Sequence, residues 1–143
     1  ASEGAPTGQC GDRTLGDWAP HQLEHELSGM FDVAHGAGLA ALWPSWARYV
    51  CAAAPSRFAA LAKALFGIEA QDALTSASAG IDAMEAFFQK IGMPTSIGEL
   101  GITLSEEQID ELARKCSHDH SRTIGTIRTL NEEDMKAIYR MAR

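Results

Sequence analysis

The chain has 143 residues, 45% of them apolar and 22% charged, with a formal net charge of −7. That length suits one domain with a substantial buried core. The acidic balance argues against nucleic acid or an anionic membrane surface as partner, because both reward positive patches. No run approaches the roughly 18 uninterrupted apolar residues of a membrane helix.

Residues 1–15 (ASEGAPTGQCGDRTL) are rich in Gly, Pro and Thr and carry no apolar period, so they read as a loop or N-terminal arm. They contain no basic region followed by an apolar run, the mark of a secretion leader. The three cysteines, Cys10, Cys51 and Cys116, are odd in number, widely spaced and free of any CxxC pair. Reduced thiols in a cytoplasmic setting are the expectation.

From Asp17 onward the pattern becomes helical. Asp17 reads as an N-cap, Pro20 falls in a first turn, and Trp18, Leu23, Leu27 and Met30 recur near helical spacing. A turn about Phe31–Ala34 leads into HGAGLAALWPSWARYVCAAA, a largely buried helix that Pro44 should kink or restart. The run Gly36–Ala37–Gly38 near its start permits close backbone packing.

Ser56–Phe66 is a third helix, stopped by Gly67. Asp72–Ile91 is a long amphipathic helix using Leu74, Ile81, Met84, Phe87, Phe88 and Ile91. Ser105 with Gln108 makes a capping box for a fifth helix lined by Ile109, Leu112 and Cys116. After the polar stretch SHDHSRTIGTIRT, Asn131 caps a last helix through Met135, Ile138, Tyr139 and Ala142. No alternating strand appears, so the fold class is all-α with about six helices.

Chemistry concentrates in GDWAPHQLEHELSGMFDVAHGAGL (Gly16–Leu39), which holds three of the five histidines. His21 and His25 are four apart and share a helix face; His35, beyond the turn, returns toward them if the two helices form a hairpin. Neutral imidazoles suit zinc, iron, copper or nickel. On spacing alone the ordinary reading, hydrogen-bonded surface or core histidines on a helix, is the commoner one. Of the nearby acids, Glu24 lies about 60° off the His21–His25 line in helical phase, and Glu26 points elsewhere. His118 and His120 read as loop polars, and Cys51 and Cys116 as core thiols with no activating neighbour. Neither a phosphate-binding glycine loop nor a GxSxG elbow occurs.

The same stretch resembles the C-terminal part of the iron-containing alcohol dehydrogenases, and most the butanol dehydrogenase branch. In that family a helix bearing H-x-x-x-H-x-L precedes a turn and H-G-x-x-x-A. Here these are His21, His25 and Leu27, then His35, Gly36 and Ala40. FFQKIGMPTSIGELGI (Phe87–Ile102) and the closing LNEEDMKAIYRMAR extend the likeness, which spans residues 16–143.

The resemblance implies the helical part of a dehydroquinate synthase-like fold, with His21 and His35 as metal ligands and His25 beside the metal as a proton relay. It implies Fe²⁺, with Zn²⁺ or Ni²⁺ as substitutes, NAD(H) or NADP(H), and a small alcohol or aldehyde such as butanol or its aldehyde as substrate. The family's other two ligands, an aspartate and a histidine, and its nucleotide-binding domain lie upstream of the matching region. On that basis 16–143 is a metal-binding C-terminal domain whose partner is an N-terminal nucleotide-binding domain, and the chain alone is expected to be inactive. Two alternatives stand beside it: a non-catalytic helical scaffold, whose exposed apolar cleft would favour a homo-oligomer, and a glycerol-type polyol dehydrogenase of the same superfamily.

Overall fold

A computed structural model describes residues 17–143; the expected arm at 1–15, with Cys10, lies outside the described residues. The six expected helices are present: α1 (Ala19–Phe31), α2 (His35–Val50), α3 (Pro55–Phe66), α4 (Ala73–Lys90), α5 (Glu106–Cys116) and α6 (Glu132–Ala142). Two 3₁₀ turns, Cys51–Ala53 and Gly98–Leu100, complete the regular structure. A lone antiparallel bridge between Ile124 and Leu130 closes the α5–α6 loop, and no strand forms among the described residues.

The helix ends follow local chemistry. Asp72 caps α4 by accepting from the Thr75 N–H, and Ser105–Gln108 and Asn131–Asp134 form reciprocal capping boxes on α5 and α6. Gly67 ends α3 in the left-handed region at φ 65°. At α1 the structure corrects the expectation. The cap position is Trp18, not Asp17, and Trp18 makes no side-chain cap. Asp17, buried, instead accepts the Ala19 N–H at 2.9 Å through Oδ1 and the Thr126 and Ile127 N–H groups at 2.9 and 2.8 Å through Oδ2. It therefore ties the start of α1 to the α5–α6 loop.

Pro44 does not restart its helix. α2 runs unbroken from His35 to Val50, because Leu42, Trp46, Ala47 and Val50 around the proline are buried in the core. That packing outweighs the one hydrogen bond the proline forfeits.

α2 is the central element, touching α1 on one side and α4 and α6 on others, while α5 packs on α1 and α6. α3 and α4 form a tight hairpin. Gly80 allows it, since a Cβ there would lie 2.5 Å from the Ala62 Cβ. Leu23, Leu27, Leu42, Trp46, Ile109, Leu112, Met135, Ile138 and Tyr139 make the core. Several apolar residues expected on inward faces lie outward instead: Trp18, Leu74, Phe87 and Ile91 are all exposed. Among the described residues no helix is long and apolar enough to cross a membrane.

Candidate functional site

The site lies where the end of α1 turns into α2. Asp32 adopts the left-handed conformation at φ 56° and donates its N–H to the Ser28 carbonyl at 2.8 Å, closing α1. Three residues later His35 opens α2, so the two helices run back along each other and bring their histidines together. The rings of His21 and His35 are 5.4 Å apart between centroids, and His25 meets His35 edge-on at 5.8 Å. The hairpin expected from the sequence thus gathers all three imidazoles. Trp18 lies against His21 at 4.6 Å, its own ring mostly exposed.

The three rings are in different states. Burial first, and then the neighbouring rings of His35 and His25, hold His21 below the ordinary imidazole pKa, so its neutral form with a free lone pair predominates near pH 7. Its Nδ1 is buried and has no hydrogen-bond partner among the described residues. His25 is exposed. His35 is half exposed, and its Nδ1 is held by the Oε1 of Glu24.

Glu24 is the residue that reading the sequence missed. It is wholly buried and accepts from the Ser28 hydroxyl as well as from His35. Ser28 Oγ also sits 2.9 Å from the Val33 carbonyl, tying the carboxyl to the turn itself. Gly38 faces it across the hairpin, and a Cβ there would collide with the carboxyl group. The signal was present: Leu23 and Leu27 flank Glu24 on the buried face, and a small residue lies one helix away. Glu26, only partly buried, takes no part.

A partnerless buried ring nitrogen and an imidazole anchored at one nitrogen with the other free are what a metal-binding histidine pair offers. The fit to a divalent cation is partial. Among the described residues no three His, Cys, Asp or Glu side chains are arranged to hold a metal.

The other candidates separate cleanly. His120 pairs with Glu132 beside a surface cavity of about 680 Å³ lined by Ser117, Arg122 and Asn131, and His118 is exposed in the same loop. Cys51 and Cys116 are buried free thiols, and burial pushes both above the ordinary thiol pKa, Cys116 to about 12.

The sequence profile of the Fe-containing alcohol dehydrogenase family, C-terminal part, matches residues 13–143. The chain belongs to this family. It is 35% identical over 127 residues to probable NADH-dependent butanol dehydrogenase 1 of Bacillus subtilis, an alignment covering 87% of this chain and 32% of that protein. It is 33% identical over 125 residues to a 1,3-propanediol dehydrogenase of Klebsiella pneumoniae, covering 85% and 31%. Its fold superposes on the crystal structure of NADH-dependent butanol dehydrogenase A from Thermotoga maritima with a TM-score of 0.79 at 35% identity, over 89% of this chain and 33% of that one. The chain thus spans about a third of the length of these Fe-containing alcohol dehydrogenase relatives and corresponds to their helical C-terminal part.

Proposed function

We propose that these helices are the metal-binding part of an iron-dependent, NAD(H)-linked dehydrogenase of primary alcohols and aldehydes. His21 and His35 are its ligands, and His25 moves a proton beside them. The convergence of the His21 and His35 rings carries the reading, supported by the orphaned His21 nitrogen and by membership of an Fe-containing family. A divalent metal held by His21 and His35 would supply Lewis-acid polarisation of the substrate oxygen, with nicotinamide as the hydride carrier.

This chain's own work is narrower. His21 and His35 present imidazole nitrogens from two packed helices, so their separation is set by the core and not by loop motion. His25, edge-on to His35 and open to solvent, is placed to exchange a proton between the site and water. The remaining ligands come from a helix upstream of these and the hydride carrier's site from an N-terminal nucleotide-binding domain, as the family's architecture implies, and the 143-residue chain by itself turns over no alcohol.

Two measurements test this. In a Co²⁺ titration of the chain followed by ¹H NMR, the His21 and His35 ring signals should shift together, and His21→Ala or His35→Ala should abolish the shift of the remaining partner. Uptake unchanged by both substitutions would favour the scaffold reading. Oxidation of NADH with butyraldehyde by the purified chain would refute the claim that it is incomplete.

A second reading keeps the site and changes the alcohol. The 33% identity to a 1,3-propanediol dehydrogenase is close to that with the butanol enzymes, so a diol substrate is the competing assignment. Relative kcat/KM for butanol and 1,3-propanediol, measured with the metal-loaded full shell, separates the two.

A further inference from the structure

Glu24 has no part in the function proposed above, yet its environment is the most constrained in the site. Its side chain is 0% exposed and its two oxygens have one side-chain partner each, His35 Nδ1 and Ser28 Oγ. A buried carboxyl group is costly unless hydrogen bonds compensate it. The space it occupies exists only because residue 38 is glycine: a Cβ on Gly38 would lie 2.9 Å from the Glu24 Cδ and closer still to Oε2. Two helices are therefore shaped around one carboxyl group, and one of its oxygens ends on a single ring nitrogen of His35.

We infer that Glu24 is a positioning residue for His35. By accepting the Nδ1–H it fixes the neutral ring in one tautomer and one orientation, and leaves Nε2 as the lone-pair nitrogen for a divalent metal. A carboxylate behind a histidine raises the basicity of the opposite nitrogen and removes the freedom to rotate that a half-exposed ring otherwise keeps. Ser28 extends the arrangement, since its hydroxyl contacts both Glu24 and the Val33 carbonyl in the turn that launches His35. The metal half of this inference rests on the function proposed above; the tautomer half does not.

The experiment reads the two halves separately. In the metal-free chain at pH 8, long-range ¹H–¹⁵N correlation of the His35 ring should show a protonated Nδ1 and an unprotonated Nε2, the reverse of the form a free histidine side chain prefers in water. Glu24→Leu should return His35 to the solvent-like mixture, while Glu24→Gln, whose amide oxygen still accepts, should keep Nδ1–H. Zn²⁺ titration should then show a Kd raised about 10- to 100-fold in Glu24→Leu and partly restored in Glu24→Gln.

A wild-type His35 protonated at Nε2 overturns the inference whether or not the variants fold. So does a Glu24→Leu variant with unchanged tautomer and Zn²⁺ affinity. A wild-type chain that shows the Nδ1–H tautomer, loses it in Glu24→Leu, and takes up no Zn²⁺ upholds the positioning of His35 and refutes the metal reading alone.

Discussion

The Tyr139 hydroxyl donates a 2.6 Å hydrogen bond to the backbone carbonyl of Leu23, so the last helix is fastened to the one that carries His21, Glu24 and His25. Both residues are fully buried, and 116 positions separate them in sequence. The contact fixes α1 from behind while its opposite face meets His35. Tyr139→Phe keeps the ring packing and removes only the hydroxyl. It should cost about 1 kcal/mol and lower the thermal midpoint by roughly 3 °C for a domain of this size, read by circular dichroism. An unchanged midpoint would mean that the bond is energetically idle.

Alkaline pH tests the same core. Burial, assisted by Glu26 and opposed by Arg122, pushes the Cys116 thiol from its ordinary 9.0 up to about 12. Burial likewise raises the Tyr139 phenol well above 10.0, and raises Cys51. The folded chain therefore holds these protons to higher pH than the unfolded chain. Their stabilising contribution is complete below pH 9 and is lost as pH climbs toward 12. Cys116 alone accounts for a decline on the order of 4 kcal/mol across that window. Chemical denaturation at pH 8, 9, 10 and 11 should show falling stability, with a shallower fall in Cys116→Ser.

Much of this arrangement was legible in the sequence because it depends on neighbours in sequence. The capping box at Ser105, the cap at Asn131 and the stop at Gly67 are local hydrogen-bond chemistry, and each stands where its residues placed it. The His21–His25–His35 cluster was legible for the same reason, being set by one helix and the tight turn that follows it. What escaped depends on distant residues. Periodicity marks Leu74, Ile81, Phe87 and Ile91 alike as apolar positions of the fourth helix and its end, but only the placement of α2 and α3 decides that Ile81 is buried while Leu74, Phe87 and Ile91 stay exposed. The burial of Glu24 requires knowing that Gly38 lies opposite, and the work of Asp17 requires knowing that residues 126 and 127 return to it.

Asp17 offers a direct probe of that last link. Its carboxylate satisfies three backbone N–H groups, two of them contributed by a loop more than a hundred residues away. Asp17→Ala removes the partner of all three, the Ala19 N–H in a buried setting and the Thr126 and Ile127 N–H groups in a part-buried one, at a cost of about 1–3 kcal/mol. The loop should loosen before the core does. Amide exchange at Thr126 and Ile127 should accelerate more than exchange in α2, and equal acceleration everywhere would show that Asp17 contributes only to global stability.

The two glycines beside His35 should respond in opposite directions to the same substitution. Gly36 sits in the first turn of α2 with nothing within 4 Å of where a Cβ would be, so Gly36→Ala gains helix propensity without a clash. It should stabilise the chain by about 0.5–1 kcal/mol. Gly38 differs by one half-turn and faces the buried Glu24 carboxyl. In Gly38→Ala the methyl group must displace Glu24, with the loss of its bonds to His35 or Ser28, at a cost of about 2–3 kcal/mol. The double variant Gly38→Ala/Glu24→Ala makes room for the added methyl, so the coupling energy between positions 24 and 38 should be well outside additivity. Denaturant unfolding of the two single variants and the double variant measures it. Strict additivity would show that Gly38 serves some purpose other than clearing space for Glu24.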